Sequence, residues 1–305
     1  MATGRGADGP SKKDRREEAR EHARLLREEA KRKARTRRWI IQGSIGVVIV
    51  AVLAVVALVI VNSIPQGQTS AGPKNMISNG IVLTSTTKAV RTPALQPGAT
   101  PIATSQPDTT TKAYITVYVD YQCPYCQEFE TANTTQIGQW LDAGIAQVEI
   151  HPLAMLDASS NGTKYSSRAM NAAACVANYK PDVYFAVNTA LFKDQPAENT
   201  NGLTNAKILS ILKGAGASSS DITTCVNNNK FSSWVAASTT RSLTKPLANS
   251  SVAKVSGTPT VIVNGQQYNG SLTDASTFAS FVESAVSASA STATPTPTPT
   301  PTATK

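Results

Sequence analysis

The sequence is short of several residue types, and each shortage removes a class of protein. Four cysteines in 305 residues are too few for a disulfide-dense mini-scaffold. Only two histidines accompany them, which leaves little material for a metal site. Charged residues make up 16% of the chain and apolar residues 41%, the reverse of the balance that keeps a chain wholly disordered. The formal net charge of +9 would suit a nucleic-acid partner, but it is not spread over the chain. Residues 1–38 hold 14 Lys/Arg against 7 Asp/Glu, and the remainder holds 15 against 13. Basicity is a property of the N-terminal tail, and no nucleic-acid partner is expected.

From Trp39 to Val61 the chain is apolar apart from Gln42 and Ser44. As a helix this run rises about 34 Å, enough to cross a hydrocarbon core of about 30 Å. It is rich in Val and Ile, yet in lipid a backbone must satisfy its own hydrogen bonds, so helix is expected. Arg35, Arg37 and Arg38 precede it, and the next positive charge is Lys74. This asymmetry orients a single-pass span with its N-terminus cytoplasmic and the rest of the chain outside. A cleaved signal peptide is the other reading. Its apolar region is usually about 7–15 residues, shorter than this one, although Thr69-Ser70-Ala71 offers a small-residue cleavage site. Residues 1–38 are expected to form a solvated basic tail touching anionic lipid. Residues 62–111, dominated by Thr, Ser, Pro, Gly, Ala and Gln, are expected to be mostly a spacer, with a small hairpin at 81–90. The Ala/Ser/Thr and Thr-Pro run at 287–305 is expected to be disordered.

Residues 112–286 then make one domain of ordinary size. Ala113–Val119 is β-branched and aromatic and reads as a buried strand. Phe129, Ala132, Ile137, Trp140 and Leu141 recur at helical steps after it. Ala146–Ile150 reads as a second strand and Thr260–Val263 as a third. Asn264-Gly265 signals a hairpin into a short strand near Gln267-Tyr268. Helical patterns fill about 166–178, 182–193, 204–213, 219–228 and 231–243, and a last helix carries Phe278, Phe281, Val282 and Ala285.

The chemistry-bearing motif is Cys123-Pro124-Tyr125-Cys126, at the end of a strand and the start of a helix. A cysteine at a helix N-terminus meets free N–H groups and the positive end of the dipole, both of which stabilise a thiolate. Proline suits the first helical position, where its missing N–H has no intrahelical partner. A second cysteine one turn on can close a disulfide or attack a mixed one. A zinc site would need a second ligand pair, and Cys175, Cys225 and His151 are isolated in sequence, so no metal is expected. A purely structural disulfide across so short a loop would contribute little. Val255-Ser-Gly-Thr-Pro-Thr260, directly before the third strand, is the second signal.

The strand–CPYC–helix start and the late Gly-Thr-Pro-Thr before a hairpin resemble the thioredoxin superfamily. The helical block between them is similar to the insertion of DsbA-type thiol–disulfide oxidoreductases. Tyr118–Cys126 and Ser167–Cys175 look like the membrane-anchored DsbA-like proteins of Gram-positive, especially actinobacterial, cells. The resemblance implies an α/β thioredoxin-like fold with a helical insertion at about 160–250, preceded by a single transmembrane helix. It implies Cys123 as nucleophile, Cys126 as resolving thiol, and Pro124 and Tyr125 as the tuning dipeptide. Pro259 would be a cis-proline facing the active pair, and Thr258 would offer its backbone to substrate. Two departures stand out. The dipeptide is Pro-Tyr where strongly oxidising members have Pro-His. Val117, not an acid, stands six residues before Cys123. Asp120 is the nearest acid, either a proton-transfer group or a surface residue.

Outside the cell the remaining cysteines are expected to pair as a structural disulfide, Cys175–Cys225. Two free thiols or a second redox pair are the alternatives. His151 is expected to be packed or capping, Trp140 and Trp234 to lie in the core, and Tyr121 and Tyr125 to form an aromatic rim. The resemblance implies no cofactor. It implies reduced, unfolded secreted proteins as substrates and a quinone-linked membrane protein that reoxidises the enzyme. The expected activity is an extracytoplasmic oxidase, with a reductase or isomerase, or a non-catalytic peptide-binding module, as alternatives. An exposed, acidic Cys123 would exclude the last.

Overall fold

The computed structural model describes residues 69–292. The expected tail at 1–38, the expected span at 39–61 and the Thr-Pro run beyond Thr292 lie outside the described residues. Among the described residues no helix is long and apolar enough to cross a membrane.

A six-stranded sheet forms the frame, in the order β2-β1-β4-β3-β5-β6. Its centre is β3 (Ala113–Asp120), buried along its whole length. β4 (Ala146–Leu153) runs parallel to it, with Ala113 opposite Ala146 and Asp120 opposite Leu153. β5 (Thr260–Val263) lies antiparallel on its other side. Asn264 and Gly265, at φ 47° and 82°, turn β5 into β6 (Gln266–Gln267). The left-handed backbone needed at both positions explains the Asn-Gly pair. A side chain at Gly265 would also meet the Asn249 carbonyl oxygen at 3.1 Å.

Alternation along β3 divides the interior. Ile115, Val117 and Val119 join the main core with Phe129, Ile137 and Leu141 of α1 (Pro124–Asp142) and with Phe278 of α7 (Ala275–Thr292). Phe129 and Phe278 meet edge to face, 5.2 Å between centroids. On the other face Tyr118 packs with Leu153, Leu247, Val255 and Ile262. Between β4 and β5 lies the helical block: α2 (Tyr165–Tyr179), α3 (Tyr184–Lys193), α4 (Asn205–Gly214), α5 (Ser220–Asn227) and α6 (Ser232–Thr244). Helix α2 is buried from Ala169 to Ala177, and its run of alanines lets neighbouring helices approach closely. A disulfide joins Cys175 of α2 to Cys225 of α5.

Three expectations change. The stretch read as a spacer is folded from residue 69 onward. β1 (Ile81–Ser85) and β2 (Lys88–Ala89) form the hairpin, and β1 pairs antiparallel with β4 to extend the sheet. The cause lies in scattered apolar residues that composition averages away: Met76, Ile81, Leu83 and Leu95 are each at most 4% exposed. The domain therefore starts well before residue 112. Its last helix also outruns the expected end at 286, since Ala and Ser at 287–291 continue it to Thr292. Third, β4 extends past Ile150 through His151 and Pro152.

That longer β4 buries a charged cluster against the N-terminal segment. His151 Nε2 lies 3.3 Å from Glu149 Oε1, and the ring stacks on Tyr118 at 4.4 Å. Gly80 comes so close that a Cβ there would sit 2.5 Å from His151 Nε2. Glu149 also accepts hydrogen bonds from Tyr114 Oη (2.6 Å), Thr104 Oγ1 (2.8 Å) and Ser78 Oγ (2.5 Å). Burial pushes its carboxyl up, but the His151 charge and the hydroxyl bonds outweigh burial and hold it at about 2. A carboxylate with a depressed pKa contributes stability above its unfolded value of 4.5 and loses it as pH falls through about 2. We expect the domain to lose up to about 3 kcal/mol from this group between pH 5 and 2. Glu149→Gln should flatten that stretch of the stability–pH curve in denaturant titrations. Parallel curves for the two chains would refute the assignment.

Candidate active site

Strand β3 ends at Asp120, and a tight turn closes with the Cys123 N–H donating to the Asp120 carbonyl at 3.0 Å. Cys123 is then the N-cap of α1, in extended backbone (φ −78°, ψ 117°), with Pro124 in the first helical position. Its carbonyl accepts from the N–H groups of Cys126 (3.1 Å) and Gln127 (3.2 Å). The Cys123 sulfur thus sits at the positive end of the helix, where the Cys126 backbone also helps stabilise its thiolate, and Cys126 lies one turn inside.

Cys123 is not exposed as expected: it is buried, 5% exposed, under its turn and the Thr258 carbonyl, and what separates the two thiols is their acidity. Cys126 is fully buried, and burial pushes its pKa well above the usual thiol value. Cys123 is pulled down to about 7, first by the hydrogen bond from the Cys126 thiol; burial opposes this, and smaller hydrogen-bond contributions from Thr258 and the Cys126 backbone assist it. Both are free thiols in the structure. Pro124 and Tyr125 are exposed beside them, Tyr125 at 60%.

The second signal arrives from β5. The Thr258–Pro259 peptide bond is cis, and Cys123 Sγ donates to the Thr258 carbonyl oxygen at 3.1 Å. Residues 135 apart in sequence thereby meet at one sulfur.

Asp120 is no surface residue: it is completely buried. Its Oδ1 accepts from the Gln122 N–H (2.9 Å) and Ser166 Oγ (2.7 Å), and its Oδ2 from the N–H groups of Met155 (2.7 Å) and Leu156 (3.0 Å). Burial still outweighs these bonds and pushes the carboxyl up to about 6. Its charge also raises both cysteines, so it lies within electrostatic reach of the pair.

Tyr121 does not join Tyr125 on a rim. It is fully buried, with its hydroxyl 3.3 Å from that of Tyr184 and donating to Asn188 Oδ1 at 3.1 Å. Asn188 Nδ2 donates in turn to Glu130 at 3.0 Å. Trp234 is in the core as expected, and Trp140 is partly buried against it.

Several residues here carry no mark in the motifs. Glu130 lies four residues after Cys126, so helical spacing alone puts the two on one face; burial raises its carboxyl pKa. Gln195 Nε2 donates to the Cys123 carbonyl at 3.0 Å, and Gln127 Nε2 to that of Phe192 at 2.7 Å. These bonds tie the motif to the segment around the end of α3. No local pattern announces them, because each partner lies at least 65 residues away.

Chemically, the arrangement is an ionisable outer thiol over a protonated inner one, close enough to share a hydrogen bond and able to close as a disulfide. Among the described residues no cluster of His, Cys, Asp and Glu could hold a metal ion.

Comparison with known proteins agrees with this geometry. A family model described as Thioredoxin matches residues 105–284. The structure of oxidised DsbA from Mycobacterium tuberculosis is 29% identical and covers 70% of this chain and 100% of its own, with a TM-score of 0.50. A disulfide bond oxidoreductase (DsbG) from the same organism is 26% identical, covers 70% and 93%, and has a TM-score of 0.49. MdbA, a thiol–disulfide oxidoreductase from Corynebacterium diphtheriae, is 20% identical, covers 72% and 96%, and has a TM-score of 0.49. No curated protein matches the chain.

Proposed function

The chain belongs to the thioredoxin family and is a thiol–disulfide oxidoreductase, and from that premise we propose that it is an extracytoplasmic oxidase that introduces disulfides into secreted proteins. The observation that carries the exchange chemistry is the asymmetry of the pair, with Cys123 pulled to about 7 at a helix N-terminus and Cys126 buried and raised; the oxidising direction is supported by the 29% identity to DsbA.

In the oxidised enzyme a substrate thiolate attacks the Cys123 sulfur of the Cys123–Cys126 disulfide. The S–S bond breaks and Cys126 leaves as a thiolate. Its burial makes that charge costly, so it takes a proton, and Asp120, held near pKa 6, is the group poised to give one. A second substrate thiolate then attacks the substrate sulfur of the mixed disulfide, and Cys123 leaves as a stabilised thiolate. Substrate loses two electrons and the enzyme gains them. The Thr258 backbone, beside the cis-proline, holds the substrate strand across the sulfur, and Tyr125 meets its side chains. Two electrons must then pass to an oxidant, for which a quinone-linked membrane protein is the proposed partner. The apolar run at 39–61 supports a location at the membrane, with the domain outside.

A thiolate stabilised in the reduced form makes its disulfide a better oxidant. The full chain equilibrated with glutathione buffers should give a Cys123–Cys126 potential of about −120 to −180 mV. A potential near about −270 mV, in the thioredoxin range, would refute the oxidase and make the protein an extracytoplasmic reductase.

A further inference from the structure

Two glutamine side chains cross between the start of α1 and the end of α3 in opposite directions. Gln127 gives its backbone N–H to the Cys123 carbonyl (3.2 Å) and its side-chain Nε2 to the Phe192 carbonyl (2.7 Å). Gln195 does the reverse: its backbone N–H goes to the Phe192 carbonyl (3.2 Å) and its Nε2 to the Cys123 carbonyl (3.0 Å). Two carbonyls and two glutamines thus close one ring of hydrogen bonds, and the outer cysteine of the pair is a member of it.

The local sequence explains why Gln195 can turn back. Helix α3 stops at Lys193, and Pro196 disfavours helical backbone at the residue before it. The frame behind the ring is held on both sides of Gln195. Phe192 packs on Tyr121, 5.1 Å between centroids. Farther along, the Asn199 N–H and Gln122 Nε2 both donate to the Ser159 carbonyl, at 2.7 and 3.0 Å.

Satisfying an acceptor does not account for the Gln195 side chain. The Cys123 carbonyl already accepts from the N–H groups of Cys126 (3.1 Å) and Gln127, and a carbonyl oxygen has two lone pairs. What a third donor adds is position and charge. It pins the carbonyl at the ψ of 117° that keeps Cys123 outside the helix as its N-cap. It also offsets the partial negative charge on an oxygen that shares its residue with the reacting sulfur, and a nearby negative charge disfavours a thiolate.

We propose that Gln195 is a positioning residue for the nucleophile: its amide holds the Cys123 carbonyl from outside the motif and favours the Cys123 thiolate over the thiol. Exchange runs through that thiolate in either direction, so the proposal holds for an oxidase and a reductase alike. The Gln127 side chain has the other part. Its bond is to Phe192 and not to the cysteine, and it ties α3 to α1.

The test follows the rate of iodoacetamide alkylation against pH in the reduced full chain. Gln195→Met keeps the length of the side chain and removes the donor. Its Cys123 midpoint should lie about half a pH unit above wild type, a thiolate-to-thiol ratio about threefold lower. Gln195→Ala, a second chain without the donor, should match it. Gln195→Lys restores a donor and should return the midpoint to the wild-type value or below. Gln127→Met should lower the midpoint of thermal unfolding and leave the Cys123 midpoint where it was. Circular dichroism checks that each chain folds. Unchanged midpoints in both donor-less chains overturn the proposal, as does a Gln195→Lys chain that titrates with them. An equal rise in Gln127→Met also overturns it, since the effect would then be packing between the two helices. The comparison is between chains and stands whatever the wild-type midpoint proves to be.

Discussion

Cys123→Ser and Cys126→Ser should each reduce oxidation of a reduced protein substrate to the uncatalysed rate, since neither chain can form the active disulfide, but Cys126→Ser should still let Cys123 attack an external disulfide and should trap the mixed product. The difference follows from acidity and position. Cys123 carries the lowered pKa at the helix N-terminus, which favours the thiolate that exchange requires. Cys126 is fully buried with a raised pKa and lies beside the Cys123 sulfur. Reduced Cys126→Ser enzyme, mixed with oxidised glutathione, should therefore accumulate one glutathione per chain on Cys123, because nothing remains to displace it. Intact-mass spectrometry reads this directly. The same variant is not a clean probe of acidity, since the Cys126 thiol is itself the largest cause of the lowered Cys123 pKa. Acidity should be measured in the wild-type reduced protein. There the rate of alkylation should rise with pH through a midpoint near 7. A midpoint near the ordinary thiol value of 9.0, or a Cys126→Ser chain that takes up no glutathione, would sink the assignment of roles.

What the sequence discloses and what it hides divides along a physical line. The CPYC motif, the Gly-Thr-Pro-Thr stretch and the Asn-Gly turn are local patterns whose residue types are dictated by local backbone, and each lies where it was expected. The five helices between β4 and β5 were visible through their apolar spacing; α2, α4, α5 and α6 start and end within a residue of the expected bounds, and a short 3-10 turn at Pro181–Val183 takes the place expected for the first residues of α3. Asp120 was visible as an acid but not as a buried one. Its burial comes from Met155, Leu156 and Ser166, which the fold brings over it from 35 to 46 residues away. The stretch from residue 69 to 111 misled because its few apolar residues are diluted by Ser, Thr and Pro. Those residues bury because β1 finds an open edge of β4, and no pattern within the segment reveals that edge. The Tyr121–Asn188–Glu130 chain was hidden for the same reason: Tyr121 looked like a rim residue by its place next to the motif, and the Asn188 amide and Tyr184 hydroxyl that meet it belong to a helix more than 60 residues on.

Removing the Cys175–Cys225 disulfide should be the largest single loss of stability available without touching the active pair. The bond closes a loop of 50 residues, and the chain-entropy account puts its stabilisation at about 4 kcal/mol as an upper value. Its position makes that constraint count. Helix α2 is the buried centre of the insertion, and Ser166 at its start donates to Asp120. Loosening α5 from α2 therefore reaches the floor of the active site through one helix. The double variant Cys175→Ala/Cys225→Ala avoids leaving an unpaired buried thiol, and alanine is already the dominant residue of α2. In a domain of this size the expected loss lowers the midpoint of thermal unfolding by roughly 10 °C. The measurement is a pair of calorimetric scans under oxidising buffer, wild type against double variant. A second pair, in enough reductant to open both disulfides, separates this bond from the active pair: wild type should then approach the double variant. A shift under about 2 °C in the first pair would mean that α2 and α5 hold each other by packing alone.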